Sequence, residues 1–255
     1  MKYVLILLAI VVTSTYCYAQ IDTIRIEKGD LVTSDLKPGL HQYLVYFENP
    51  AKKRLGNSSI WNRQVNFKKI GGRDVIEIEQ YWYMSDTLFN RYVYSLSDKK
   101  TFSPIFHKTK MRGAVEAFDF DQQKVSGSDS VENNVKKDLD VSLTEVTLNW
   151  ELDLEIFSTL PIKKEGQRFI VNFYHPGGKS NPKYYEYAII GSEKLDIVNS
   201  SSIDCWKMKI DYSQDAWAIF WISKKSKEVL KMQEYFRGGF RYKVKFLTPI
   251  PMTTK

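Results

Sequence analysis

The residues that could bind a metal ion are few in this sequence and lie far apart along it. The chain has three histidines, and none has a second ligand at the spacing that zinc sites require. Asp119 and Asp121 supply the oxygen ligands that calcium prefers, but the acidic ladder and closing Glu of a calcium loop are missing. We therefore predict no metal site and no cofactor. The histidines are His41, His107 and His175.

The motifs of nucleotide binding and hydrolysis are incomplete. Gly178, Lys179 and Ser180 repeat the end of a phosphate-binding loop, but Phe173 stands where that loop needs its first glycine. Cys205 would need a neighbouring histidine and an oxyanion site to act as a nucleophile, and the sequence places neither beside it. The Gly-x-Ser-x-Gly and His-Glu-x-x-His patterns are also absent. The sequence predicts no catalytic residue and a protein that is not an enzyme.

Aromatic side chains are the remaining candidates for binding, because Phe, Trp and Tyr make up 14% of the chain. Any one of them fills a core more often than a site. Together they exceed what one short helix and one sheet would cover, and apolar surface left in water costs about 25 cal/mol per Å². We therefore predict a site for an apolar ligand lined by Trp82, Phe157, Trp206, Trp217 and Trp221.

The last three of these residues lie on segments with strand chemistry. Within residues 205–212 the even positions are large and apolar, whereas Lys207, Lys209 and Asp211 are charged, which is the period of a strand with one wet face. The run 216–222 is apolar throughout, as expected of a strand covered on both sides. Two more strand segments follow, so the stretch 203–246 predicts an antiparallel meander.

Strand signals also recur about every ten residues through the first half of the chain. Gly71 and Gly72 predict a tight turn between two of these strands, and the polar run 121–140 predicts a surface loop. Residues 168–174 and 184–190 predict a hairpin. This spacing favours a barrel or sandwich over βαβ units. The predicted early strands are 41–47, 60–70, 74–83, 90–96, 101–110 and 112–120.

One helix is predicted, over residues 149–160. Asn149 can cap its first turn, and Pro161 ends it by denying the next turn a donor. Trp150, Leu154 and Phe157 fall at i, i+4 and i+7, so they form one stripe that must be buried against the sheet.

Residues 1–19 predict a cleaved signal peptide, because Lys2 precedes an apolar run that is too short to span a membrane. A lipid anchor at Cys17 is disfavoured, since Tyr16 occupies a position where lipoprotein processing needs a small residue. We expect one β-rich domain over 20–247 and a flexible tail over 248–255. No transmembrane segment is predicted after signal cleavage.

The chain is modestly basic, with a formal net charge of +7. Its Lys and Arg residues are dispersed over strands and turns rather than concentrated on one stretch. An exported protein without a concentrated basic face is not expected to bind nucleic acid.

The order of these segments resembles the DUF3108 family of exported Gram-negative proteins. The resemblance rests on the helix ending in Leu160 and Pro161, on Cys205 and Trp206, and on the run 220–225 leading into 229–231. The implied fold is similar to the lipoprotein carriers LolA and LolB. It is a mainly β, antiparallel half-barrel (an incomplete β-barrel) of roughly ten or more strands, with one short helix packed on the concave side. Related carriers hold acyl chains in this cavity, and the family implies no catalytic residue.

We therefore expect a non-enzymatic protein of the periplasm or outer envelope of a Gram-negative bacterium. It is expected to bind an apolar ligand, a lipid or an acyl chain, in the half-barrel cavity. The first alternative is a protein-protein interaction module that docks an envelope protein and has a dry, fully packed interior. The second is an enzyme that brings polar groups together from distant strands around His175. The identity of the ligand and the oligomeric state stay open.

Overall fold

The computed structural model describes residues 22–197 and 200–249, which form one sheet of sixteen strands. The predicted signal peptide and residues 250–255 of the predicted tail lie outside the described residues. In chain order the strands are β1 (Thr23–Arg25), β2 (Gly39–Glu48), β3 (Arg54–Ile70), β4 (Arg73–Met84), β5 (Arg91–Asp98), β6 (Pro104–Met111), β7 (Ala114–Phe120), β8 (Lys124–Gly127), β9 (Asp140–Ser142), β10 (Leu148–Asn149), β11 (Arg168–Tyr174), β12 (Lys183–Ile197), β13 (Ser200–Ser213), β14 (Ala216–Ser223), β15 (Val229–Phe236) and β16 (Gly239–Lys245).

Two antiparallel meanders make up this sheet. Strands β2 to β9 pair in chain order, as do β11 to β16, and the pairing of β16 with β2 joins the two halves. The sheet ends at β9 and at β1, which runs parallel to β11, so it is open and not closed into a barrel. Both end strands are three residues long, which leaves little edge for pairing with another chain. The predicted mainly β fold with an incomplete barrel is confirmed.

The turns follow the predicted chemistry. Gly71 and Gly72 have φ angles of 56° and 81° between the paired residues Ile70 and Arg73. Positive φ at both central residues defines the two-residue hairpin turn whose twist matches its strands. The predicted hairpin of 168–174 with 184–190 is present as β11 and β12.

The predicted helix is shorter in the structure than its pattern indicated. Residues Trp150–Leu152 form a 3₁₀ turn, whose first free amide is capped by the side chain of Asn149, and only Asp153–Ser158 form the α-helix, α1. The hydroxyl groups of Ser158 and Thr159 donate to the carbonyls of Leu154 and Ile156, at 2.9 and 2.8 Å. Such side-chain bonds compete with further helical turns, so the helix ends two residues before 160.

Every residue of α1 is buried, so the helix is enclosed by the sheet rather than lying on it. We call the face of the sheet that contacts α1 the inner face, and the opposite face the outer face. Strands β11 to β14 contribute alternate residues to the inner core, as the pattern at 206–212 predicted. Side chains of this core are Leu152, Leu154, Ile156, Phe157, Phe169, Val171, Phe173, Tyr187, Met208, Ile210, Ala218 and Phe220.

The polar segment 121–140 was expected to be a loop, and part of it is instead strand β8. Val125 on β8 is fully buried among Phe118, Phe120 and Val141. Beyond β8, the buried Asn134 amide donates to the carbonyls of Ala117 and Ser128, at 2.8 and 3.0 Å. One buried apolar residue and one buried amide therefore order a segment whose composition alone is typical of a loop.

We expect Phe157→Ala to destabilise the protein by about 3–5 kcal/mol, because it leaves a cavity in the inner core. The Phe157 ring lies 4.8 Å from the rings of both Tyr187 and Phe220. Urea unfolding followed by tryptophan fluorescence measures the loss. The matched control is Phe67→Ala on the exposed surface, which we expect to cost less than about 1 kcal/mol. Equal losses in the two variants would contradict the enclosed position of the helix.

Candidate functional site

The five aromatic residues predicted to line one cavity lie on both faces of the sheet. Phe157 is in the inner core, and Trp82 and Trp206 pack against that core. Trp221 is buried in a separate cluster on the outer face with Cys205. Phe220 points to the inner core, so its neighbour Trp221 must point outward, because strand side chains alternate. The five residues therefore do not share one face of the sheet, and their binding of a ligand stays a prediction.

The three tryptophans of this set that are partly buried each contact another side chain. Trp82 stacks on Trp61 with ring centroids 3.8 Å apart. The ammonium group of Lys224 lies 4.1 Å from the ring of Trp206. Trp217 stacks on Tyr235 on the outer face, at 6.1 Å. Three of the five rings therefore have packing partners on the protein itself.

The acidic side chains of the helical segment meet cations on the inner face of the sheet. Arg63 on β3 is 1% exposed, and its guanidinium donates two bonds to the carboxylate of Glu155, one of them 2.7 Å long. It also donates to Gln80 Oε1 at 2.8 Å and to the carbonyl of Glu151 at 2.9 Å. Burial opposes the charge on Arg63, but Glu155 outweighs it and raises the Arg63 pKa. The pair fixes the helix to β3.

Two further ion pairs join the same segment to the sheet. Lys243 Nζ lies 3.7 Å from Asp153, and Arg91 lies 3.0 Å from Glu151. Burial lowers the pKa of Lys243, and the charge of Asp153 acts against that effect. Carboxylates at alternate positions of the segment are thus matched by three cations from three strands, β3, β5 and β16.

This packing leaves little free space inside the sheet beside the helix. The cavity between α1 and strands β2 and β3 has a volume of about 10 Å³. A void of that size holds about one water molecule. A ligand of lipid size therefore has no room there in this structure.

A much larger cavity, of about 870 Å³, lies where the sheet fails to close. We call it the seam cavity, because residues 143–147 cross there from β9 to β10, which pairs with β11. Its other walls come from residues within 28–29, 73, 98–105 and 120–122. The apolar part of the wall consists of Pro104, Ile105, Phe120, Leu143 and Val146.

The charges around the seam cavity are unevenly compensated. Asp98 is paired with Arg73 at 3.0 Å, and Glu145 is paired with Arg25. Asp121 accepts bonds from backbone amides of the β7–β8 turn. Within the described ranges, Lys28 and Lys100 are exposed and have no acidic partner. The cavity therefore combines an apolar wall with two ammonium groups that have no acidic partner among the described residues, Lys28 and Lys100, and one carboxylate, Asp121, that is bonded to backbone amides but has no cationic partner there.

Hydrogen bonds hold the walls of the seam cavity in place. The side-chain amide of Asn172 on β11 donates to Thr147 Oγ1 at 3.0 Å and to the carbonyl of Val146 at 3.3 Å. Across the cavity, the carboxylate of Asp98 accepts bonds from the amide and hydroxyl of Thr101, at 3.0 and 2.9 Å. The buried side chain of Phe102 anchors the same turn in the inner core. The cavity is therefore preformed on both sides.

A buried histidine lies outside this cavity. Asn149 donates its side-chain amide to His107 Nδ1 at 3.0 Å, so Nδ1 is an acceptor and Nε2 carries the proton. Nε2 has no partner within the described part of the chain. Burial lowers the pKa of His107 to about 4. Of the other two histidines, His175 stacks on Trp150, with ring centroids 4.4 Å apart.

Groups of metal-binding side chains are also absent from the described residues, where no three His, Cys, Asp or Glu residues cluster. Cys205 is a free thiol, and burial raises its pKa to about 11, which disfavours the nucleophilic thiolate. Within the described ranges, no helix has the length and apolar character that crossing a bilayer requires.

The fold and the seam cavity together define an open, β-barrel-like protein with a cavity of small-molecule size. The model of the DUF3108 family, described as a protein of unknown function, matches residues 42–245. The chain belongs to the DUF3108 family. None of the curated proteins matches it.

Two solved structures are similar to the chain. One is a β-barrel-like protein of the domain of unknown function DUF1849 from Brucella abortus, with 9% identity and a TM-score of 0.54 over 83% of this chain and 96% of that chain. The other is a DUF1329 family protein from Desulfovibrio piger, with 10% identity and a TM-score of 0.28 over 84% and 86%. The first likeness supports the β-barrel-like fold. The expected likeness to LolA and LolB stays a prediction.

We expect Arg63→Met and Glu155→Leu each to cost about 3–5 kcal/mol, because each leaves one charge buried without its partner. The double variant should cost less than the sum of the two, since no charge is then stranded. Urea unfolding of all four proteins measures the cycle. Arg168→Met, which breaks an exposed pair with Glu186, should cost less than about 1 kcal/mol. If the loss of stability in the double variant equalled the sum of the two single losses, the two side chains would not be coupled.

The stability of the protein should fall as the pH is lowered from about 6.5 to about 4, because of His107. In the unfolded chain this histidine gains a proton near its ordinary pKa of about 6.5, whereas in the folded protein its pKa is about 4. The unfolded state then binds more protons, so about 3 kcal/mol is lost over that interval. Urea unfolding at several pH values measures this slope. His107→Asn should flatten it, whereas an unchanged slope would contradict the assignment.

Proposed function

We propose that the protein binds an amphiphilic small molecule, an acyl chain with an acidic head group, in the seam cavity. The observation that carries the proposal is one preformed cavity of about 870 Å³ that joins an apolar wall to two ammonium groups without acidic partners. Ligand sites for small molecules typically measure about 300–1,000 Å³ and pair an apolar lining with a few polar groups. The seam cavity fits both criteria.

The apolar wall provides the affinity in this proposal. Ile105 and Val146 are half-buried, so part of each side chain remains in contact with water. A bound acyl chain would cover that surface, at about 25 cal/mol for each Å² removed from water. Because the walls are already held by hydrogen bonds, little conformational entropy is lost when the ligand enters.

The two lysines provide the selectivity. Of the three carboxylates that would repel an anion, Asp98 and Glu145 are paired with Arg73 and Arg25, and Asp121 is bonded to backbone amides of the β7–β8 turn. Lys28 and Lys100 then favour a carboxylate or phosphate at the mouth of the cavity. Such a ligand is a lipid or fatty acid, which agrees with a non-enzymatic role in the periplasm or outer envelope of a Gram-negative bacterium and with the proposed likeness to the lipoprotein carriers.

An interaction module of the cell envelope is the second candidate. The packed interior of the sheet favours it, since a dry interior is what this candidate predicts. The interaction module differs from the proposed ligand-binding protein because its function needs no small molecule. A protein that purifies without ligand, but with a stoichiometric envelope protein, would support it.

The test of the proposed function is mass spectrometry of an organic extract of the protein purified from its native host without detergent, followed by titration with a dansylated undecanoic acid. We expect a stoichiometric lipid and a saturable rise in dansyl fluorescence. Ile105→Asp and Val146→Asp should each weaken this binding by at least about tenfold, because each places a charge on the apolar wall. Ile190→Asp, an exposed position on β12, is the matched control and should bind like the wild type.

The role of the two lysines in binding the head group is tested separately. Replacing Lys28 and Lys100 together by Gln should weaken binding of the dansylated acid but not of its dansylated alcohol analogue. No saturable binding by the wild type, or equal weakening in Ile190→Asp, would refute the proposed site.

A further inference from the structure

Two neighbouring hairpin tips carry exposed apolar residues at the end of the sheet away from the seam cavity. The first tip, residues 85–90, joins β4 to β5, and the second, residues 112–113, joins β6 to β7. The two tips lie side by side because β5 pairs with both β4 and β6. Leu88 and Phe89 on the first tip, and Met111 at the end of β6 beside the second tip, are exposed large apolar side chains. We call this pair of tips, with the groove between them, the tip surface.

The charged residues that line the groove of the tip surface are all cations. The groove between the tips has a volume of about 400 Å³, and among the described residues that line it there are three cations and no acid. One of these cations, Arg91, is paired with Glu151. The other two, Lys110 and Arg112, are exposed beside the apolar tips. Asp86 on the first tip is also exposed, but its carboxylate caps the turn and does not line the groove. An exposed apolar patch beside a cationic groove is complementary to a surface that is apolar inside and anionic outside.

Hydrogen bonds and one cation–π contact order the tips. Thr87–Phe89 form a 3₁₀ turn capped by Asp86, whose carboxylate accepts a bond from the amide of Leu88 at 3.0 Å. Asn90 closes the same loop by accepting from the amide of Met84 at 2.9 Å. The guanidinium of Arg112 lies 3.8 Å from the ring centroid of Phe89 and so connects the two tips. Docking therefore requires little ordering of the loops.

A belt of tyrosines lies next to the apolar tips. Tyr81 and Tyr92 pair across β4 and β5, with ring centroids 4.9 Å apart, and Tyr83 follows on the same face. Tyrosine rings favour the level of lipid head groups, because one end of the ring is apolar and the other is polar.

We propose that the tip surface docks on an anionic phospholipid bilayer. Leu88, Phe89 and Met111 enter the head-group region, the tyrosines lie at its level, and Lys110 and Arg112 contact lipid phosphates. This docking uses none of the residues that line the seam cavity. Its failure can therefore be distinguished from failure of the proposed ligand site.

The test is flotation of the protein, with the N terminus that its host produces, on vesicles of phosphatidylcholine or of equimolar phosphatidylcholine and phosphatidylglycerol. We expect binding to the anionic vesicles that weakens with added salt. The charge variant Lys110→Gln with Arg112→Asn should bind about 30-fold more weakly. The apolar variant Leu88→Asn with Met111→Asn should lose at least about tenfold.

Val135→Asn is the matched control, since Val135 is 62% exposed and Leu88 is 63% exposed, and it should float like the wild type. All variants share the same N terminus, so any contribution of that segment cancels. A wild type that does not float, that binds neutral vesicles equally well, or that loses as much binding in Val135→Asn would overturn the proposal. So would a concentration-dependent dimer that Leu88→Asn abolishes.

Discussion

The structure depends on how the inner face of an open sheet is covered by a helix of only six residues. A sheet that does not close must bury its apolar face against some other part of the chain. The segment that does so carries Glu151, Asp153 and Glu155, and buried carboxylates are costly unless each is paired. Arg91, Lys243 and Arg63 supply the partners, so these pairs fix where the helix lies along the strands.

The same constraint determines where a ligand can bind. The helix, its apolar side chains and their charged partners fill the inner face beside it, and a large cavity lies where the two edges of the sheet fail to meet. The chain crosses this gap with residues 143–147, and Asn172 on β11 holds them in place. The open architecture thus creates the seam cavity, whereas a closed barrel would have placed a ligand on its axis.

Much of the sheet was predictable, because alternation in single strands reports which face each residue occupies. Lys207 and Lys209 are charged, so the apolar residues that alternate with them on β13 were correctly assigned to the inner face. The run 216–222 has no polar residue to mark a face, so Trp217 and Trp221 were assigned to a cavity although they point outward. The pair of Arg63 with Glu155 joins residues 92 positions apart, and no local pattern predicts such a contact. The seam cavity could not be predicted for the same reason, because five separate segments of the chain build it.

The positions of the seam cavity and the tip surface constrain how the two proposed sites could work together. Strand β5 runs from Arg91, in the groove of the tip surface, to Asp98, at the seam cavity. Seven residue steps at about 3.3 Å each separate the two ends by about 23 Å. A tip docked in the head-group layer would therefore hold the seam cavity well outside the hydrocarbon core, which is about 30 Å thick and begins beyond the head groups. An acyl ligand could not pass directly from that core into the cavity. Docking and ligand uptake would therefore be separate steps. The acidic head group of the ligand would cross water before it contacts Lys28 and Lys100.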